Sequence, residues 1–143
     1  MRVSEIMQTD LVSCGADATV VDAAALMTRR RVGACLVVDG PRLAGIFTER
    51  DLMRAVATGS DVRERCVGEL MTRDVTLAPP DAEPVWAAEA MKRLGVRHLP
   101  VGEDGHVVGI VSLRDLFAVA EAMLRLDPDG AVAARDVLSA AHG

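Results

Sequence analysis

Aromatic residues are nearly absent: the chain has no tyrosine, one tryptophan and two phenylalanines, 2% in all. A core is then built from Val, Leu, Ala, Ile and Met, and the apolar fraction of 50% is ample for one. Cysteine is scarce too. Cys14, Cys35 and Cys66 are odd in number, widely spaced and never in a CxxC pair, which argues against a disulfide framework or a zinc site. Cys14 and Cys35 read as small buried core residues, and Cys66 as a linker thiol. No apolar run is long enough to cross a bilayer, and the opening MRVSEIMQTD has no signal-peptide core, so a cytoplasmic protein without a membrane partner is expected. Excess positive charge is missing as well, since the net charge is -5. That argues against a nucleic-acid backbone or an anionic membrane as the main partner.

What is present is enough for one compact domain in two halves, 143 residues long. Val3 to Met7 reads as a short helical lead-in and Leu11 to Ser13 as a brief extended piece. Asp17 and Thr19 offer N-cap chemistry for a helix in which Val20, Ala24 and Met27 recur at helical spacing, and Arg29 to Arg31 close it at its negative dipole end. Cys35 to Val38 is an apolar strand, Asp39, Gly40 and Pro41 turn the chain, and a second strand ends at Phe47. A helix follows from about Thr48 to Ala57. From 58 to 66 the periodicity is lost, which marks a linker.

The pattern then restarts. A shift of about 64 residues lays Val3 on Val67, Met7 on Met71, Asp17 on Asp81, Met27 on Met91, Val37 on Val101 and Asp51 on Asp115, without a gap. The sharpest twins are Gly45 to Asp51, GIFTERD, and Gly109 to Asp115, GIVSLRD. Asp104 and Gly105 are expected to turn the second hairpin as Asp39 and Gly40 turn the first. The division is a first repeat at 2–57, a linker at 58–66, a second repeat at 67–123 and a helical tail at 124–143. In the tail, Leu124 to Leu126 end a helix, Asp127 to Gly130 turn, and Ala131 to Ala141 form a short helix with Val132, Val137 and Leu138 on its apolar face. That helix docks either on its own domain or on a second subunit.

With Met7 or Met71 near the start, a hairpin, VRHLPV at Val96 to Val101, and GIFTERD or GIVSLRD entering the last helix, the chain resembles the cystathionine-β-synthase (CBS) domain pair, or Bateman module, over residues from about 2 to 123. The resemblance implies an α/β fold of the α+β type. Each repeat has a helix, strand, strand, helix core, and the two sheets pack about a pseudo-twofold axis with two clefts between the repeats. It also implies a regulatory module that binds AMP, ADP, ATP, NAD or S-adenosylmethionine and signals to an unidentified regulated protein. In it, Asp51 and Asp115 bind ribose, Thr48 and Ser112 lie beside phosphate, and Arg97 and His98 stand where the family often places phosphate-contacting basic residues. A homodimer through helix faces around Met53, Val56, Met123 and Leu124 is expected on the same ground.

The chemistry suits those roles. A carboxylate in the first turn of a helix can accept hydrogen bonds from two vicinal ribose hydroxyls while the helix N-terminus and a hydroxyl face a phosphate. Gly45 and Gly109 let the backbone approach a ligand, and Ile46, Ile110, Val12 and Val75 line an apolar slot for a flat base. The competing reading is structural: a hydroxyl residue three before an acid is also a capping box. It accounts for Thr48, Asp51, Ser112 and Asp115 without a ligand, but not for Arg97 and His98. His98 at a strand entry can equally bond a carbonyl; His106, in a hairpin, is expected to be solvated, and His142 lies in a frayed tail.

The repeats depart from the shared pattern at the strand entry, where Leu36 also stands in place of Pro100. Gly33 and Ala34 stand where the second repeat has Arg97 and His98, so the clefts are expected to differ in their affinity for charged ligands. No nucleophile and base set, metal-ligand spacing or GxxxxGK loop is present, and catalysis is not expected. A ligand-free scaffold and an S-adenosylmethionine sensor are the alternative readings.

Overall fold

The computed structural model describes residues 1–126 and 131–141, with α-helices, 3-10 turns and two small sheets. The expected turn at Asp127 to Gly130, His142 and the side chain of Val132 lie outside the described residues. By contacts the chain divides into two compact units that cut across the sequence repeats: Asp10–Val75 forms one, and Met1–Thr9 with Thr76–Gly143 forms the other. Each repeat therefore gives its lead-in to the other's unit. Val3, 0% exposed, packs with Val101 and Val111 of the second repeat, and Val67, also 0% exposed, packs with Val37 and Phe47 of the first.

In the unit of the first repeat, β1 (Ser13–Cys14) runs parallel to β2 (Ala34–Asp39), which pairs antiparallel with β3 (Arg42–Thr48). Between β1 and β2 lies α1 (Val20–Arg30), capped by Thr19, whose Oγ1 accepts from the Asp22 amide at 3.0 Å. It buries Val20, Ala23 and Met27, a helical spacing that sets one apolar stripe on the sheet. Arg31 ends it in the left-handed region at φ 53. After β3 comes α2 (Glu49–Ala57); a 3-10 turn at Val62–Glu64 and the short α3 (Val67–Leu70) then close the unit. The expected linker is thus partly packed, with Val62 against the core. Cys35 is fully buried, and its Sγ lies 3.5 Å from that of half-buried Cys14. Burial, with Cys14 alongside, pushes the Cys35 thiol up to about 12 and keeps it neutral, as a core residue should be.

The other unit repeats this order with α4 (Pro84–Leu94), β4 (His98–Glu103), β5 (His106–Ser112) and α5 (Leu113–Leu126). Its counterpart of β1 shrinks to a single parallel bridge, Ala78 to Val101. Both hairpins carry an irregularity at the same repeat position, between Val37 and Val38 and between Val101 and Gly102. The turns correct the expected alignment by one residue: Asp39 pairs with Arg42 and Glu103 with His106, so the loops are Gly40–Pro41 and Asp104–Gly105. Asp104 and Gly105 both have positive φ, 53 and 80, as a type I′ turn requires. Gly40 alone does so in the first loop, because proline fixes a negative φ at the second place.

The tail helix α6 (Ala131–Ala141) docks on its own unit. Ala134, Val137 and Ala140 are buried in one cluster with Ala87, Ala88 and Ala90 of α4 and Leu116 and Ala120 of α5, and Leu138 packs beside them. Small residues on both sides let the helix axes approach closely.

Candidate functional site

Each unit places a strand-to-helix junction beside the lead-in it has received. In the first-repeat unit, Thr72 exchanges backbone hydrogen bonds with Ile46, both at 2.9 Å; in the second-repeat unit, Gln8 does so with Ile110, at 2.8 and 2.9 Å. The neighbouring glycines explain how such segments fit. A Cβ on Gly45 would stand 2.6 Å from the Thr72 carbonyl oxygen and 2.7 Å from the Met71 sulfur. One on Gly109 would overlap the Met7 sulfur and meet the Gln8 carbonyl oxygen at 3.0 Å. The close approach that these glycines permit is therefore to the exchanged lead-in, a backbone neighbour that was not anticipated.

Both expected capping boxes form. The Thr48 amide donates to Asp51 Oδ2 at 2.9 Å, the Thr48 hydroxyl to the same oxygen at 3.1 Å, and the Asp51 amide returns a bond to Thr48 Oγ1 at 3.2 Å. At the other junction the Ser112 amide and hydroxyl donate to Asp115 Oδ2 at 2.8 and 2.9 Å, and the Asp115 amide bonds Ser112 Oγ at 3.2 Å. The cap thus uses one carboxylate oxygen. The second oxygen, Oδ1, receives one long side-chain bond from the lead-in, from Thr72 Oγ1 to Asp51 at 3.2 Å and from Gln8 Nε2 to Asp115 at 3.3 Å. An ionised carboxylate oxygen accepts two bonds, so each half-buried aspartate keeps room for a further donor.

Opposite the Asp115 junction the second-repeat unit has two basic residues at the strand entry. Leu113 donates its amide to the Arg97 carbonyl at 2.9 Å, and His98 pairs in register with Ser112, so Arg97 and His98 lie directly opposite the residues that open α5. Arg97 is exposed and His98 half-buried. The first-repeat unit uses the same backbone bond, Glu49 to the Gly33 carbonyl at 3.0 Å, and pairs Ala34 with Thr48. It carries no cation at these two positions.

The remaining expected residues are divided. Ile46 is 7% exposed and Ile110 half-buried, each beside its junction. Val12 belongs to the core of the first-repeat unit, where its carbonyl accepts from Leu36 at 2.9 Å; Val75 is half-buried at the end of that unit. His106 is exposed in its hairpin. Gln8 and Thr72 are the functional candidates that residue-type reasoning missed. Their signal was their shared place in the repeat, directly after Met7 and Met71. Among the described residues no group of three or more His, Cys, Asp or Glu could hold a metal ion, and no helix is long and apolar enough to cross a membrane.

The CBS domain model matches the chain twice, at residues 3–58 and 67–122. The chain belongs to the CBS domain family, and its mixed helix and strand architecture with two tandem repeats is that of known CBS pairs. A protein with CBS domains from Burkholderia ambifaria is 32% identical, with a TM-score of 0.81 over 85% of this chain and 95% of that one. The CBS domain protein PAE2072 of Pyrobaculum aerophilum, solved with AMP, is 29% identical, with a TM-score of 0.73 over 81% and 90% of the two chains. The CBS domain pair of protein MJ0100, solved with 5′-methylthioadenosine and S-adenosylmethionine, is 25% identical, with a TM-score of 0.78 over 85% and 97%.

Proposed function

We propose that this chain is a regulatory module of the cytoplasm that binds an adenine nucleotide at Asp115 and Asp51 and, as a homodimer, reports occupancy to a protein that it regulates. It acts by binding and not by catalysis. The observation that carries the reading is the divided use of each aspartate, with Oδ2 spent on the helix cap and Oδ1 held by one long bond. Ribose hydroxyls complete or replace that bond, and Ser112 and Thr48 with the helix N-termini lie beside the phosphate. Arg97 and His98 favour a phosphate-bearing ligand, AMP, ADP, ATP or NAD, at the second-repeat unit. AMP in the Pyrobaculum relative supports this choice.

The half-site at Asp51 has Gly33 and Ala34 in place of the basic pair. It suits a nucleoside with less phosphate, and the methylthioadenosine and S-adenosylmethionine of the MJ0100 pair support that second reading. Thermal unfolding with AMP, ADP, ATP, NAD, adenosine and S-adenosylmethionine tests both. Ligand at a hundredfold over its dissociation constant adds about 2.7 kcal/mol. Asp115→Ala loses the nucleotide response, and Arg97→Ala weakens AMP by about 10- to 100-fold while leaving adenosine unchanged, as one charge-assisted bond of roughly 1.5–3 kcal/mol dictates. Absence of any response at millimolar ligand leaves the ligand-free scaffold as the function.

A further inference from the structure

The first-repeat unit holds two thiols where its twin holds none. Cys14 ends β1 and Cys35 lies near the start of β2, and the parallel register sets Cys14 opposite Val37. Side chains two apart on a strand share a face, so Cys35, Val37 and Cys14 all stand on the same side of the sheet. The Cys35 S–H accordingly reaches Cys14 Sγ at 3.5 Å, with the Leu36 carbonyl at 3.6 Å as its other acceptor. The repeat shift lays Ala78 on Cys14 and Leu99 on Cys35, in the same register, since Ala78 bridges Val101. Both twins are buried apolar residues, Ala78 at 0% and Leu99 at 1% exposure. Packing at these two places is served there without sulfur. The first-repeat unit is also less closed at the first of them, because Cys14 is only half-buried where Ala78 is sealed.

We propose that Cys14 and Cys35 are a site of reversible disulfide formation, through which a hydroperoxide staples β1 to β2 in the first-repeat unit. Cys14 is the thiol that a small oxidant reaches, because Cys35 is fully sealed. With hydrogen peroxide, the Cys14 sulfur attacks one oxygen, the O–O bond breaks, and Cys14 sulfenic acid forms with release of water. Cys35 Sγ then attacks the Cys14 sulfur, the S–O bond breaks, and the Cys35 proton leaves with the hydroxide as a second water. Two thiols give up two electrons and two hydrogens, and one peroxide takes them up. Burial, which keeps Cys35 neutral, shields it from direct attack and leaves it as the resolving partner. Joining the sulfurs asks for about 2.0 Å between them. The closing movement falls to β1, a two-residue strand at the edge of its sheet, while β2 is held on both sides. The bond closes a loop that contains all of α1, and it ties down the strand whose Ala34 pairs with Thr48. In a reducing compartment the resting form is the dithiol, and a thiol reductant undoes the bond after oxidation.

The site is independent of nucleotide binding, and its test needs only the full chain and hydrogen peroxide. Trypsin cuts after Arg29, Arg30 and Arg31, so Cys14 and Cys35 fall in separate peptides, and Cys66 falls in a third that begins after Arg65. The folded chain is oxidised mildly, its remaining thiols are alkylated, and it is digested for mass spectrometry. The expected product is the linked pair of Cys14 and Cys35 peptides, lost on treatment with dithiothreitol, with Cys66 still alkylated. The link survives Cys66→Ser and is lost in Cys14→Ser and in Cys35→Ala. Amide exchange from Ser13 to Val37 slows at least about tenfold on oxidation, while β4 and β5 are unchanged. Cys14 carried to sulfinic acid without a link overturns the proposal. So does a link that forms only in urea, favours Cys66 or joins two chains. A linked chain whose β1 and α1 amides exchange as before overturns the staple. All of these outcomes are read on the unaltered chain, so an unstable cysteine variant does not obscure them. A ligand-induced thermal shift of the reduced chain reports on the nucleotide reading alone.

Discussion

The two strand-to-helix junctions share a backbone plan and differ in what surrounds it. Asp51 and Asp115 make the same cap with nearly the same distances, and each meets a side chain from an exchanged lead-in. Asp115 receives Gln8 and has Arg97 and His98 at the strand entry that pairs with its junction; Asp51 receives Thr72 and has Gly33 and Ala34 at that place. The capping box that stabilises each helix start is common to both halves, and the residues at the strand entry differ. A duplicated capping box, worth about 1 kcal/mol, keeps its own residues in place whether or not a ligand binds. The flanking residues at the strand entry take no part in the cap.

The same comparison can be pressed by mutation. The largest effect is expected in the cores, where Phe47 and Val111 are repeat counterparts and both are 0% exposed. Phe47→Ala should cost about 3–5 kcal/mol and Val111→Ala about 2 kcal/mol by urea unfolding, because the lost volume and the cavity left behind are larger at Phe47. Equal losses would mean that the first-repeat unit relaxes around the hole. Next come the glycines at the lead-ins. Gly45→Ala meets a backbone carbonyl at 2.6 Å, whereas Gly109→Ala is pressed mainly by the flexible end of Met7. Both should cost roughly 1–3 kcal/mol, Gly45→Ala the more, with increased amide exchange in the released lead-in. A neutral Gly45→Ala would contradict the packed lead-in. The smallest effect belongs to the helix ends, where Arg31 at φ 53 stands where the second repeat has Gly95 at φ 67. Arg31→Gly should gain up to about 1 kcal/mol and Gly95→Ala lose a similar amount. The opposite signs are the check.

Much of this architecture was legible in the residues. Helical spacing at Val20 and Met27, the two hairpins and both capping boxes follow from local chemistry, because a cap or a two-residue turn is decided by a few neighbouring side chains and their allowed backbone angles. The tandem repeat was legible for the same reason, since its twins share local requirements. The hairpin alignment slipped by one residue because Gly-Pro and Asp-Gly satisfy the same two-residue turn by different angles.

What sequence alone determined is therefore the repeat, its secondary structure and the asymmetry of Arg97 and His98 against Gly33 and Ala34. Only the tertiary structure decided which unit receives each lead-in, and with it the pairing of Gln8 with Asp115 and Thr72 with Asp51. It also decided that the tail helix covers Ala120 while Val56 stays exposed. These are contacts between segments distant along the chain. The lead-ins are near-twins and each unit offers a similar glycine-bearing strand, so local residue chemistry does not separate the two pairings; the packing of whole units does.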